Sequence, residues 1–242
     1  MFLAYKTDVG KKRKDNQDAV KASFIEDNVS ISVVCDGMGG AKSGEVASDV
    51  AVTNVFNRIM SGYRSDFDSN SIRNLMLSAV HAANTIVYEK SKEDIDKNGM
   101  GTTCVAALVD NKHCYIVNVG DSRAYLLDEN GISQITTDHT YVQALCDQGI
   151  ITEEEKKTHA MKNVITRALG VDDDVEVDYF ELEPTGNFTI VLCSDGLSNY
   201  CSEEFIYKTV YGNNLDTAAK ELIDYANKQG GKDNITVALV AN

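Results

Sequence analysis

The chain has 242 residues, of which 23 are Lys or Arg and 37 are Asp or Glu, so its formal net charge is −14; 43% of the residues are apolar. A chain this long buries roughly 70–75% of the surface it exposes unfolded, so it needs neither a metal nor a disulfide merely to fold. The acidic balance argues against a nucleic-acid surface, which demands clustered Lys and Arg, although bound divalent cations would offset part of a local acidic excess.

The N-terminal stretch lacks an apolar core of signal-peptide length, and no run of 18 apolar residues occurs, so a cytoplasmic protein without membrane insertion is expected. The six cysteines, at 35, 104, 114, 146, 193 and 201, include no C-x-x-C pair, so reduced and mostly buried thiols are expected and zinc is a poor fit. Pro184 stands alone, and no linker or repeat marks a boundary. One domain over residues 1–242 follows.

In chain order, Leu3–Asp8 and Ala19–Phe24 are weak strand candidates, and the apolar run 29–35 is a strong one. Two long helices follow. The first covers about 43–61, with Val46, Val50, Val52, Val55, Phe56 and Ile59 on one broad face. The second covers about 71–92, with Ile72, Leu75, Met76, Ala79, Ala83, Ile86 and Val87 at helical spacing. Strands are predicted at 103–109, 113–119 and 123–128, then a polar segment at 138–170 that reads as a flap. A strand at 188–193, helices near 202–211 and 215–229, and a last strand at 235–241 complete the chain. Strands fall in adjacent hairpin-like runs rather than alternating with helices, which favours antiparallel sheets covered by helices, an α+β fold.

The aspartates carry the functional signal. Asp36 follows the apolar run 29–35 and precedes Gly37-Met38-Gly39-Gly40, Asp195 follows 188–193 and precedes Gly196, Asp121 sits between two strands in Gly120-Asp121-Ser122-Arg123, and Asp233-Asn234 opens the last strand. A carboxylate beside a buried strand is costly unless something compensates its charge. Glycine beside it permits a tight turn and close approach of a ligand. Any single Asp-Gly is most simply a turn. Four strand-end aspartates together suggest a hard cation held by oxygen ligands, Mg²⁺ or Mn²⁺ rather than zinc.

These segments, with Arg13-Lys14-Asp15-Asn16-Gln17-Asp18, Gly101-Thr102-Thr103, Ser194-Asp195-Gly196-Leu197 and Asp233-Asn234-Ile235-Thr236, stand in an order that resembles the metal-dependent, type 2C Ser/Thr protein phosphatases. The stretch from Asp138-His139-Thr140 to Asn163–Gly170 resembles the flap of their bacterial branch, and the likeness spans about residues 5 to 240. It implies a four-layer αββα sandwich, two antiparallel sheets between helices, with a metal cleft at one edge. Asp36 would bridge two metals, Gly37 would offer its carbonyl to one of them, and Asp195 and Asp233 would bind the other. Asp18 would hold metal-bound water, Asp121 with Asp195 would form a third, weaker site, and Arg13 would clamp the substrate phosphate.

The implied activity is hydrolysis of phosphoserine and phosphothreonine by a water or hydroxide shared between two Mn²⁺ or Mg²⁺ ions. Such a pair lowers the pKa of the water and presents it in line with phosphorus. A bidentate guanidinium suits the non-bridging oxygens. No protein nucleophile is needed, which agrees with the lack of a C-x5-R loop around any cysteine. Two positions depart from common family patterns. Gln17 replaces a frequent Glu, and Met38 stands where eukaryotic members often carry a His thought to protonate the leaving alkoxide, so here a water or another group is the acid. The resemblance also implies phosphoprotein substrates, a bacterial signalling role opposite a membrane Ser/Thr kinase, and a monomer.

Other readings are weaker. An inactive phosphoprotein-binding member would have lost ligands that remain here, and a nuclease would want a basic stripe. Asp94–Gly99 mimics the start of an EF-hand loop but has Val105 where the bidentate Glu belongs. The Gly37–Gly44 cluster lacks P-loop spacing. Lys11, Lys12 and Lys14 read as a solvated turn or a phosphate-attracting rim, Asp172–Asp174 as a solvated loop, His81 as structural, and His139 as a local cap or packing residue that could touch substrate.

Overall fold

A computed structural model describes residues 1–39, 43–93 and 99–242. Gly40 of the glycine cluster and most of the EF-hand-like stretch lie outside the described residues. The strands are β1 (Phe2–Asp8), β2 (Asp18–Glu26), β3 (Val29–Met38), β4 (Gly101–Thr102), β5 (Cys104–Val109), β6 (Cys114–Val119), β7 (Arg123–Asp128), β8 (Gly131–Gln134), β9 (Asp178–Leu182), β10 (Thr189–Cys193) and β11 (Ile235–Ala241). The helices are α1 (Ser43–Gly62), α2 (Ser69–Lys92), α3 (Tyr141–Asp147), α4 (Glu153–Thr158), α5 (Asp195–Ser198), α6 (Glu203–Val210) and α7 (Leu215–Lys228).

One sheet runs β1-β11-β10-β7-β8 and the other β2-β3-β5-β6-β9, with β4 paired to the end of β3. Every described pair is antiparallel. Three apolar layers follow from the two-residue period of strands. On β10, Ile190 and Leu192 face the other sheet, where they meet Val34, Val105 and Ile116, while Val191 and Cys193 face α7 and its Leu222 and Ala226. On β3, Ile31, Val33 and Cys35 turn outward beneath α1 and α2. The result is helices, sheet, sheet, helices: the αββα sandwich.

The deepest stripe of α1 is Ala47, Ala51, Val52, Val55 and Ile59, while Val46, Val50 and Phe56 sit on its shoulder. The alanines let the helix approach the sheet closely, so the bulkier valines flank the contact instead of forming it. β8, β9 and α5 are absent from the sequence-based expectations because they are short and only partly apolar, and β7, β6 and the Ser194 turn supply their pairing and context. Five cysteines are buried and Cys146 is half-buried, all of them free. His81 is exposed on α2 near Asp174 rather than packed inside. Among the described residues no helix is long and apolar enough to cross a membrane.

The 138–170 segment packs as two short capped helices. Thr140 caps α3, and Thr152 with Glu155 forms a reciprocal capping box on α4. Its base is clamped: Tyr141 N–H donates to Val164 O, Thr166 N–H to His139 O, and Arg167 pairs with Asp178 and Glu176. His139 is buried and fills the joint. Its Nδ1 accepts from Gly120 N–H, so the proton sits on Nε2, which faces Asp178 at 3.1 Å.

Candidate metal centre

Antiparallel register sets the geometry of the site. The chain-starts of β2, β7 and β11 lie beside the chain-ends of β3, β6 and β10, so the aspartates flanking those strands gather at one end of the sandwich. Asp18 is the register partner of Asp36, and Cys193, two residues before Asp195, pairs with both Arg123 and Val237. Arg13, Asp36, Gly37, Asp121, Asp195 and Asp233 all line one cleft of ≈ 290 Å³, together with Met38 and Asn163.

Asp18 lies behind this cleft and ties the two sheets together. Its Oδ2 accepts 2.7 Å hydrogen bonds from Ser194 Oγ and Thr236 Oγ1, hydroxyls of the opposite sheet's end, while its buried Oδ1 has no partner. Burial raises its pKa to about 7, with the charges of Asp195 and Asp233 adding and the two hydroxyls opposing. Asp36 is pushed well above the usual carboxylate range by burial first, then by Asp18, Asp195, Asp121 and Asp233. Asp121 rises to about 7 through burial and the charges of Asp195 and Asp138, against the pull of Arg123. Asp195 is raised by burial and by Asp233, offset by hydrogen bonds to Asp36 and Asn199 and by the charge of Arg13.

Backbone packing holds these side chains in place. Asp36 N–H donates to Thr103 Oγ1, and its carbonyl accepts from Thr103 N–H and Thr102 Oγ1, all at 2.9 Å. Thr103 Oγ1 in turn meets Ser122 Oγ at 2.7 Å, linking Asp36 to the Asp121 turn. Gly37 has no room for a side chain, since a Cβ there would lie 2.0 Å from Gly44 O. At Gly196 a Cβ would lie 1.8 Å from Asn234 O. Glycine is required at both positions for close approach of backbones.

Asn234 is the residue whose importance the sequence did not signal beyond its place in a motif. Its buried amide accepts from Gln17 N–H at 2.8 Å and donates to Val9 O and Asp15 O at 3.0 Å, pinning the loop that carries Arg13. From there Arg13 Nη2 donates to Asp233 Oδ2 at 2.8 Å, and among the described residues no other protein acceptor takes up the rest of its fork of donors. Ser194, Thr236, Thr103 and Ser122 likewise stand in the motifs without a role assigned to them, because a hydroxyl that orients a carboxylate across two sheets leaves no periodic trace in a sequence.

The residues fit divalent cations. Four aspartates and one arginine line the cleft, four site carboxyls are raised by burial and mutual repulsion, and Asp18 Oδ1 is buried without a partner. Added positive charge would relieve all of these at once. Among the described residues no three His, Cys, Asp or Glu side chains close into a protein-only cage. The donors that do line the cleft are carboxylate and backbone oxygens, with no Cys or His among them, which suits Mg²⁺ or Mn²⁺ better than zinc. Volume does not mark the chemistry here. A larger cavity, ≈ 520 Å³, lies at the opposite end of the sandwich beside the α6–α7 turn and contains none of these aspartates.

A helix-clad pair of antiparallel sheets with an acidic cleft at the strand ends is the architecture of a phosphoprotein phosphatase. The catalytic domain of PstP in complex with two manganese ions superposes with a TM-score of 0.85 at 33% identity, over 100% of this chain and 97% of that one. Stp1 of Staphylococcus aureus, a serine/threonine phosphatase, superposes with a TM-score of 0.91 at 35% identity, over 99% and 94%. In sequence, the serine/threonine phosphatase stp of Listeria welshimeri is 38% identical over 247 residues, covering 99% of this chain and 95% of that protein. The protein phosphatase 2C model matches residues 10–239. The chain belongs to the protein phosphatase 2C family.

Proposed function

We propose that the chain removes phosphate from phosphoserine and phosphothreonine in proteins, using two core divalent cations, Mn²⁺ or Mg²⁺, and possessing a place for a third. The observation that supports this most directly is the convergence of Asp36, Asp195 and Asp233 on one cleft with Arg13 at its wall. In this reading Asp36 and the Gly37 carbonyl would hold one core ion, and Asp36 with Asp195 and Asp233 would hold the other. Asp121 and Asp195 hold the third.

Bound there, the cations supply an activated water and neutralise charge that builds on the phosphoryl oxygens. The protein's own groups do the rest. Arg13 turns its unused N–H donors to the non-bridging oxygens, matching their planar fork to the phosphate. Asp233, already bonded to Arg13, keeps that guanidinium at the cleft wall. Asp18, locked by two hydroxyls behind the cleft, keeps Oδ1 as a buried acceptor that is unused among the described residues. Thr103 and the Gly37–Gly44 contact hold the Asp36 backbone rigid, so the bridging carboxylate needs no reorganisation during turnover. Met38 lines the cleft but has no proton to give, so the leaving alkoxide takes its proton from solvent.

The biological setting is part of the same proposal: a single catalytic domain with residues 138–170 as a flap, monomeric, cytoplasmic, acting on phosphoproteins and opposing a bacterial Ser/Thr kinase. The test is phosphate release from a phosphothreonine peptide with Mn²⁺, with and without a chelator. Release that the chelator abolishes is expected; no release above blank removes the reading.

A further inference from the structure

Beside the metal cleft lies a second cavity of ≈ 470 Å³, which shares Asp121, Asn163 and Asp195 with it. One wall comes from the start of α5 and α6. The other is the flap, which contributes Lys156, Lys157 and Lys162. With Arg123 these lysines meet five acidic residues in the lining, so the local field is decided by which charges are already paired.

The charges around this cavity sort into two sets. Arg123 is consumed by Asp138 at 2.6 Å, and Lys156 by Glu153 and the Gln143 carbonyl oxygen. Asp121 and Asp195 sit on the wall shared with the metal cleft, where cations would neutralise them. Lys157 and Lys162 remain on the flap wall and Glu203 on the opposite wall, and among the described residues none of the three has an ion-pair partner within 4.0 Å. The fold holds the lysines in place: the capping box fixes α4 under Lys157, and the Tyr141–Val164 backbone bond anchors the segment that follows Lys162.

We infer that Lys157 and Lys162 form a subsite for an anionic side chain of the substrate, a carboxylate or a second phosphate a few residues from the scissile phosphoester. The inference rests on the phosphatase reading above and deepens it. The cavity shares Asp121, Asn163 and Asp195 with the cleft, and an extended peptide advances roughly 3.3 Å per residue, so a neighbour two to four positions along is carried roughly 7–13 Å from the phosphoryl group, the range that probes the adjoining cavity. The lysines are exposed and their field is screened, so the gain is modest per contact and falls with salt.

The test uses peptides carrying one phosphothreonine and, two to four positions away on either side, Gln, Glu or a non-hydrolysable phosphonate analogue of phosphoserine. The wild type is expected to show kcat/KM about 3- to 10-fold higher for the Glu or phosphonate peptide than for the Gln peptide, with the ratio shrinking in high salt. A gain with Glu points to acidic sequences, and a gain with the phosphonate alone points to multiply phosphorylated ones. In Lys157→Gln/Lys162→Gln the ratio falls toward one, in Lys157→Glu/Lys162→Glu it inverts, and in the remote variant Lys220→Gln it stays at the wild-type value. A wild type that hydrolyses every peptide with equal kcat/KM, or a double variant that keeps the ratio, overturns the subsite. A wild type that releases no phosphate from any peptide overturns the phosphatase reading instead.

Discussion

Asp18→Asn separates the cost of the site from its use. In the metal-free protein the Asp18 pKa is about 7 against 3.8 for the free side chain, because burial outweighs its two hydroxyl partners. The folded state therefore holds a proton that the unfolded state has released. Stability lost to this group is nil below pH 4, grows as pH rises through 4 to 7, and is complete above about 7. A difference of roughly three pKa units corresponds to about 4 kcal/mol, an upper bound because Asp18 titrates together with its neighbours. Asn keeps the shape and removes the charge, but its amide leaves one buried group imperfectly bonded. A net gain of about 2 kcal/mol is expected for the metal-free variant at pH 8, a rise in Tm of about 4–8 °C for a domain of this size.

The assay is thermal unfolding in chelator and in Mn²⁺ at pH 5, 6.5 and 8. Without metal the wild-type Tm should fall across that range and the variant's should change less. With Mn²⁺ at pH 8 the wild type should gain more than the variant, while the variant's turnover drops by about 10²-fold or more. A metal-free variant that is less stable than wild type at pH 8, and equally sensitive to pH, would refute the view that uncompensated buried charge defines this site.

Three further outcomes follow. Asp36→Asn should cut kcat by at least about 10²-fold with an unchanged circular dichroism spectrum, since Thr102 and Thr103 hold its backbone rather than its carboxyl; near-wild-type turnover would remove Asp36 from the metal set. Gly196→Ala forces a Cβ to 1.8 Å from Asn234 O and should lower Tm by about 6–12 °C, a cost of about 3 kcal/mol read by calorimetry. Asn234→Ala removes three hydrogen bonds to the 9–17 loop and should cost about 3 kcal/mol in denaturant unfolding while raising KM more than it lowers kcat, because Arg13 loses its platform.

Much of this molecule was legible in the chain itself. Strands β3, β5, β6, β7, β10 and β11 and helices α1, α2, α6 and α7 lie within two or three residues of the expected spans, because long apolar runs and strong periodicity need no context to declare themselves. The placement of aspartates after apolar runs, with glycine beside them, named the residues that meet in the cleft. Composition argued against a nucleic-acid surface, and the spacing of the cysteines pointed away from thiols toward oxygen ligands.

What the chain could not declare was set by neighbours distant in sequence. β9 has half-buried residues and becomes a strand because β6 offers it a ladder. Ala47 and Ala51 of α1, undistinguished as sequence, are buried as deeply as its Val55 and Ile59 because their small side chains let the helix settle on the sheet. Asn234, Ser194, Thr236 and Thr103 acquire their roles only when two sheets close, since a hydrogen bond spanning 218 residues, such as Thr236 to Asp18, has no local signature. Local pattern follows from short-range sterics and burial; the charge balance of a cleft is a sum over the whole fold, and only the folded chain evaluates it.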